Sequence, residues 1–99
     1  MKTTIVIPTY NESANVRPMT ETLLGLGLPD TRVLIVDDES PDGTGLIADQ
    51  LAGSYPGQVD VLHRQEKRGL GRAYVDGFSL ALAQGAEAVV QMDCDFSHA

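Results

Sequence analysis

An alternation of short β-branched runs with longer helical stretches constrains the fold more than any other feature. Four runs rich in valine and isoleucine predict strands, at Thr3–Pro8, Arg32–Asp37, Gln58–Arg64 and Ala88–Asp93. Three of them are almost continuously apolar, as is typical of parallel strands buried on both faces. Helical stretches separate the runs, so the order is β-α-β-α-β-α-β. This order predicts an α/β fold with a parallel, right-handed sheet of the dinucleotide-fold type.

Residues at the helix ends sharpen this prediction. Asn15 is a good N-cap for the first helix, and the Asp42–Thr44 segment is expected to begin the second. The third helix is predicted over about residues 70–84, with Gly85 as its cap and Gly77 packed closely against the sheet. Its predicted core contacts are Ala73, Phe78, Ala81 and Leu82.

Composition excludes several classes of protein. A chain of 99 residues forms at most one compact unit, so residues 1–99 are treated as a single domain. The formal charge of −7 argues against nucleic-acid binding. The single cysteine excludes an internal disulfide framework and indicates a reducing, cytoplasmic location. No apolar run approaches the roughly 20 residues that span a bilayer, and the start of the chain does not read as a signal peptide.

Acidic residues concentrate where the predicted strands end. Seven of the 14 carboxylates follow a strand: Glu12, Asp37, Asp38, Glu39, Asp42, Asp93 and Asp95. The carboxyl ends of parallel strands share one edge of a sheet, and ligands of open α/β sheets bind there. We therefore expect residues 10–12, 37–42 and 93–95 to lie along one rim. A convergent group of carboxylates repels itself unless a cation joins it.

Asp93 and Asp95 stand at positions i and i+2 of an extended segment, so their side chains project to the same side. Two such carboxylates can hold Mg²⁺ or Mn²⁺ and leave positions open for diphosphate oxygens. Cys94 points the other way and is expected to pack rather than to bind metal. The pattern therefore indicates a metal and diphosphate site.

Two further segments admit more than one interpretation. Tyr10 beside Glu12 suits a nucleobase, although an ordinary strand-to-helix turn also fits. Asp37 and Asp38 are typical either of nucleoside binding or of the acidic pocket of a phospho-acceptor receiver domain. A receiver needs an aspartate at the end of its third strand, whereas here that strand ends in His63 and Arg64. The Asp42–Thr44 segment favours helix capping.

Four ordered blocks give the chain a family resemblance. They are IVIPTYNE at Ile5–Glu12, IVDDESPDGT at Ile35–Thr44, KRGLGRAY at Lys67–Tyr74 and MDCDFSH at Met92–His98. Together they resemble family 2 glycosyltransferases, and more closely the polyprenyl (dolichyl) phosphate mannosyltransferases. Two departures are Glu39, where a glycine is usual, and Cys94, where an alanine is usual.

The resemblance implies the nucleotide-sugar-binding, N-terminal half of a GT-A fold, cut after the Asp-x-Asp segment. It implies a hexosyltransferase that moves mannose from GDP-mannose to a polyprenyl (dolichyl) monophosphate, with inversion and with Mg²⁺ or Mn²⁺. Alternatives are a related family 2 enzyme that uses a UDP-sugar, and a non-catalytic receiver-like or nucleotide-binding domain. We expect these 99 residues alone to be inactive, and any attachment to the cytoplasmic face of a membrane to come from other parts.

The resemblance also implies a set of site residues. Around the base and ribose it places Pro8, Tyr10, Glu12, Val36 and Asp38. Near the diphosphate it places Asp93, Cys94 through its backbone, and Asp95. Asp93 and Asp95 are the implied metal ligands, and Asp95 is the implied catalytic residue.

Overall fold

The computed structural model describes residues 1–38, 40–64 and 70–94, with the backbone alone for residues 70–74. Its elements are β1 (Thr3–Thr9), α1 (Val16–Gly25), β2 (Thr31–Asp37), α2 (Thr44–Ser54), β3 (Val59–His63), α3 (Leu70–Ala83) and β4 (Ala88–Gln91). The predicted element order is confirmed. The main difference is that β4 ends at Gln91 rather than at Asp93. None of the described helices has the length and hydropathy needed to cross a bilayer.

The four strands form one parallel sheet in the order β3-β2-β1-β4. The chain moves outward from β1 to β3, and α3 then carries it back across the sheet to β4. Strand order therefore reverses between β1 and β4, where ligands of doubly wound sheets bind. The register places Thr9 beside Asp37 and Asp37 beside His63, so the ends of β1, β2 and β3 are level.

Both faces of β1 and β2 are buried, as their apolar runs predicted. The same prediction is wrong for β4, which lies at the edge of the sheet and is half-buried at Ala88 and Val89 and exposed at Val90 and Gln91. Side chains alternate between the faces, because successive residues of a strand point in opposite directions. One face packs on α1 and α2 through Ile5, Ile7, Val33, Ile35, Val16, Met19, Ala48 and Leu51. The other face packs around Val6, Leu34, Val36 and Ala81. This arrangement fixes the strand ends as a rigid platform for the loops.

Glycines set the position of α3. A Cβ atom on Gly77 would lie 2.7 Å from Val36 Cγ2 and 2.8 Å from Val6 Cγ1, which confirms the predicted close packing. Gly85 adopts φ +94, and the N–H of Ala86 donates to the carbonyl of Ala81 at 3.0 Å, which is a Schellman cap.

The rotational phase of α3 differs from the prediction. Ala81 is buried, but Phe78 and Leu82 are 36% and 50% exposed, so their assignment to the core is wrong. Gly77 and Ala81 are one turn apart and set the face that touches the sheet. Phe78 and Leu82 follow them by one residue each, about 100° further round the helix. The side chain of Ala73 lies outside the described residues.

The contact at Gly77 gives a testable expectation. Gly77→Ala should lower the free energy of unfolding by about 1–3 kcal/mol, because the added methyl group overpacks a filled site. Gly53→Ala is the matched control, since no atom lies within 4 Å of a Cβ atom at that helical position. The control should gain about 0.5–1 kcal/mol in urea unfolding. Equal effects of the two substitutions would contradict the close contact.

Candidate functional site

The β1–α1 and β2–α2 loops are joined at the carboxyl edge of the sheet. Three backbone N–H groups of the first loop donate to side chains of the second, each at 3.0 Å: Asn11 to Ser40 Oγ, Glu12 to Thr44 Oγ1 and Ser13 to Asp42 Oδ2. These hydrogen bonds hold the two loops as one surface. The expectation that residues 10–12 and 37–42 share a rim is confirmed for the described residues.

The turn after β1 presents Tyr10. Pro8 is buried and stays in register with Val36, so β1 ends at Thr9 rather than at the proline. Asn11 adopts φ 56, a left-handed conformation that asparagine tolerates better than most residues. Tyr10 is exposed on this turn, as a base-stacking ring must be.

Glu12 and Asn15 interact with each other. The Asn15 side-chain amide donates to Glu12 Oε2 at 3.0 Å. Asn15 is the N-cap of α1, but its side chain makes no capping hydrogen bond, and its backbone has helical rather than extended dihedral angles, with φ −109 and ψ −24. The predicted cap position is therefore confirmed and its expected side-chain bond is not present. The half-buried Glu12 thereby stabilises the start of α1.

Asp37 is fully engaged in the structure of the rim. Its buried carboxylate accepts from Thr9 Oγ1 at 3.1 Å, from Ser40 Oγ at 2.6 Å and from the Ser40 N–H at 3.2 Å. Gly45 lies close by, and a Cβ atom there would be 2.9 Å from Asp37 Oδ2. Asp37 therefore ties β1 to the β2–α2 loop and is poorly placed to bind a ligand.

Asp38 has a different environment. The residue is buried, with 4% of its surface exposed, and its backbone N–H donates to the Thr9 carbonyl at 3.1 Å. Asp38 Oδ1 faces Arg64 Nη1 at 3.6 Å, and neither atom has a hydrogen-bond partner among the described residues. The opposite charges of Asp38 and Arg64 compensate each other, but these two atoms form no hydrogen bond with each other or with another described residue. Buried polar atoms without a hydrogen-bond partner are rare in folded proteins.

Arg64 was not predicted as a site residue. It follows β3, is 7% exposed, and its backbone N–H donates to the Asp37 carbonyl at 2.8 Å. Its Nε forms an ion pair with Asp76 on α3 and lies 2.9 Å from Asp76 Oδ2. The sequence feature that could have indicated it is a cation directly after β3. This strand neighbours β2, which leads into Asp37 and Asp38.

The segment after β4 is described as far as Cys94. Asp93 is half-buried, and Cys94 is buried in the core beside Ile5 and Ile7, so its packing role is confirmed. Asp95 lies outside the described residues, as do Glu39, His98 and residues 65–69. Within the described ranges no three histidine, cysteine, aspartate or glutamate side chains form a group that could hold a metal ion. The metal site therefore stays a prediction.

The Asp42–Thr44 segment begins α2 as predicted. Gly43 is the N-cap at φ +89, and Asp42 Oδ1 accepts from the N–H of Thr44, the first helical residue, at 3.1 Å. Asp42 also accepts from the Thr44 hydroxyl. The pKa of Asp42 is lowered from 3.8 to about 2, mainly by the hydrogen bond from the Thr44 hydroxyl. The remaining hydrogen bonds from Ser13 and Thr44 also lower this pKa, whereas burial raises it.

This shift predicts a pH dependence of stability. A carboxyl group whose pKa is lower in the folded state stabilises the fold above its unfolded pKa, here 3.8, and this contribution is lost as the pH falls through about 2. Asp42→Asn should therefore lower the urea midpoint at about pH 6 by more than at about pH 2. An NMR titration of Asp42 should also show a higher pKa in Thr44→Val. A midpoint difference that stays constant over this pH range would contradict the shift.

His63 pairs with an aspartate of α2. Its Nε2 lies 2.8 Å from Asp49 Oδ1 on α2, and both side chains are about half exposed. The pair links the end of β3 to α2 on the outside of the sheet.

Comparison with known proteins decides the family. The family model described as glycosyl transferase family 2 matches residues 4–99. The chain belongs to this family. The predicted resemblance is thereby confirmed.

Curated relatives match almost the whole chain. The polyprenol monophosphomannose synthase of Mycolicibacterium smegmatis is 47% identical over 98 residues, which are 99% of this chain and 37% of the relative. The undecaprenyl-phosphate mannosyltransferase of Micrococcus luteus is 48% identical, with 99% of this chain and 40% of the relative covered. The dolichol-phosphate mannosyltransferase of Pyrococcus furiosus is 36% identical, with 99% and 27% covered. This family 2 chain thus spans 27–40% of the length of these relatives.

Solved structures confirm the fold. The mannosyltransferase PcManGT from Pyrobaculum calidifontis, solved in complex with GDP-Man and Mn²⁺, superposes with a TM-score of 0.80 at 28% identity. That match covers 95% of this chain and 27% of the other. S. aureus TarS gives a TM-score of 0.76 at 24% identity, with 96% and 28% covered. The family 2 chain therefore has the fold of the N-terminal part of a GT-A glycosyltransferase.

Proposed function

We propose that this chain is the donor-binding part of a polyprenyl phosphate mannosyltransferase. The whole enzyme would transfer mannose from GDP-mannose to a polyprenyl (dolichyl) monophosphate, with inversion at the anomeric carbon. The names of the three curated relatives and the GDP-Man bound to PcManGT support this assignment. The observation that carries it is Asp38, a buried carboxylate at the end of β2, one strand away from the strand-order reversal, whose Oδ1 has no hydrogen-bond partner among the described residues.

A nucleobase explains the environment of Asp38. Burial of an unsatisfied carboxylate oxygen costs free energy, which a ligand N–H recovers when it binds. Guanine and uracil carry a proton on the ring nitrogen of their pairing edge, whereas adenine and cytosine present a bare acceptor there. A carboxylate at this place therefore favours GDP or UDP over ADP or CDP. Tyr10, exposed on the same rim, supplies a stacking surface.

The other implied residues have supporting positions. Pro8 and Val36 are paired across β1 and β2 and form the floor of the rim. The carboxylate of Glu12 is hydrogen-bonded to Asn15, so we assign it to the wall of the site rather than to direct base contact. Asp93 lies just after β4, on the other side of the strand-order reversal. In this arrangement the segment that follows β4 would bind the diphosphate.

A divalent cation fits this segment chemically. We assign Asp93 and Asp95 as ligands for Mg²⁺ or Mn²⁺, because hard cations take carboxylate oxygens. The Mn²⁺ of PcManGT supports the assignment. The cation would stabilise the negative charge that grows on the leaving diphosphate. An acceptor phosphate is already anionic near neutral pH, so the reaction needs little or no general base.

The test is binding of GDP-mannose, GDP and UDP to the chain by calorimetry, with Mn²⁺ and with EDTA. We expect GDP and GDP-mannose to bind more tightly than UDP, and Mn²⁺ to increase the affinity for both. Asp95→Ala should abolish the effect of Mn²⁺, while Asp60→Ala, which alters an ion pair with Arg32 on β2, should leave it unchanged. GDP binding that is insensitive to both EDTA and Asp95→Ala would disprove the metal site. A preference for UDP would disprove the mannosyl assignment and favour a UDP-sugar enzyme.

A further inference from the structure

Arg64 lies between two carboxylates that come from different parts of the fold. Its Nε contacts Asp76 on α3, and its Nη1 faces Asp38 at the end of β2. The Arg64 and Asp38 side chains are both 6% exposed, whereas that of Asp76 is 35% exposed. The guanidinium therefore connects a surface-accessible carboxylate to the buried one at the rim.

The position of Asp76 is fixed by the helix packing described above. Asp76 is followed directly by Gly77, whose missing side chain lets α3 approach Val36. Val36 is two residues before Asp38 in the chain. This close contact of α3 with the sheet therefore lies near Asp38, and it holds Asp76 at a short distance from Arg64.

The Nε contact determines how Arg64 meets Asp38. A guanidinium is planar, so a hydrogen bond at Nε fixes the plane and the directions of its other N–H groups. Arg64 Nη1 stays 3.6 Å from Asp38 Oδ1, which is too far for a hydrogen bond. Without Asp76 the guanidinium would be free to turn and form a close bidentate pair with Asp38, the arrangement that arginine and carboxylate prefer. Both oxygens of Asp38 would then be occupied.

We propose that Asp76 is a positioning residue for base recognition. It holds Arg64 at a distance from Asp38, so that the Asp38 carboxylate stays charged and oriented but keeps an oxygen for the ring N–H of the base. Asp76 itself does not touch the nucleotide. This inference rests on the proposed function of Asp38 in the donor site, and it adds a residue of α3 that the family blocks do not include.

The experiment compares the affinities of GDP and ADP in four forms of the chain, all with Mn²⁺. Asp76→Ala should raise the Kd of GDP about 10-fold and leave the Kd of ADP nearly unchanged, so the selectivity for GDP falls by the same factor. Asp76→Glu keeps the charge and should restore part of the selectivity. Asp60→Ala is the matched control, because it breaks the Arg32–Asp60 pair without touching the rim, and its selectivity should equal that of the wild type.

Stability measurements separate positioning from structure. A lower urea midpoint in Asp76→Ala with unchanged GDP selectivity would overturn the positioning role and leave the proposed function intact. Equal affinity of the wild type for GDP and ADP would overturn the proposed base recognition, and the role of Asp76 with it. If alanine unfolds the chain, Asp76→Asn, which keeps an acceptor oxygen for Nε, should show a smaller loss of selectivity in the same direction.

Discussion

Arg64→Met is expected to lower the free energy of unfolding by about 3–5 kcal/mol, because it leaves the buried Asp38 carboxylate without a compensating charge. Domains of this kind are stable by only about 5–15 kcal/mol in total. The variant should therefore unfold at a much lower urea concentration than the wild type, as measured by circular dichroism.

The chain offers a matched control for this loss. Arg32 also pairs with an aspartate, Asp60, but the two side chains are 40% and 32% exposed. Arg32→Met should cost no more than about 1 kcal/mol, because water screens exposed ion pairs. The double variant Arg64→Met with Asp38→Leu should recover part of the stability, since it removes both buried charges. Equal costs for Arg64→Met and Arg32→Met would show that the Asp38–Arg64 pair is not buried in solution.

Asp38→Asn is expected to weaken GDP binding about 10- to 100-fold, the effect of losing a hydrogen bond to a charged group. The affinity for ADP should change little, because adenine has no ring N–H at its pairing edge. Calorimetric titration of both nucleotides with Mn²⁺ measures this directly, and Asp60→Asn serves as the control. An unchanged GDP affinity in a folded Asp38→Asn variant would place the base elsewhere.

The features that could be predicted from the sequence are those that local chemistry determines. Runs of β-branched residues indicate strands whatever elements they pack against. Gly77 and Gly85 have roles that follow from the absence of a side chain. The order of these elements, together with the chirality of parallel crossovers, predicts a parallel right-handed sheet, although not the strand order β3-β2-β1-β4. The rim could be predicted for the same reason, since parallel strands end at one edge.

The features that were missed depend on contacts between distant residues. The burial of Arg64 results from β2 and α3 closing around it, which no local pattern records. The exposure of Phe78 and Leu82 results from the rotation of α3 that the contact at Gly77 imposes. In each case the residue type was recognised, but its partner was not.

The three hydrogen bonds between the β1–α1 and β2–α2 loops have a consequence for the order of folding. They connect residues that are 29, 32 and 29 positions apart in the chain. Such contacts form only after the intervening helix and strand have docked, because closing a long segment costs entropy before the contact is gained. We expect the rim to be the last part to assemble and the first to open, so the amide protons of Asn11, Glu12 and Ser13 should exchange with solvent before those of β1. Nucleotide binding would suppress this local opening, so the extent to which it slows the exchange of these three protons should report the affinity of the site.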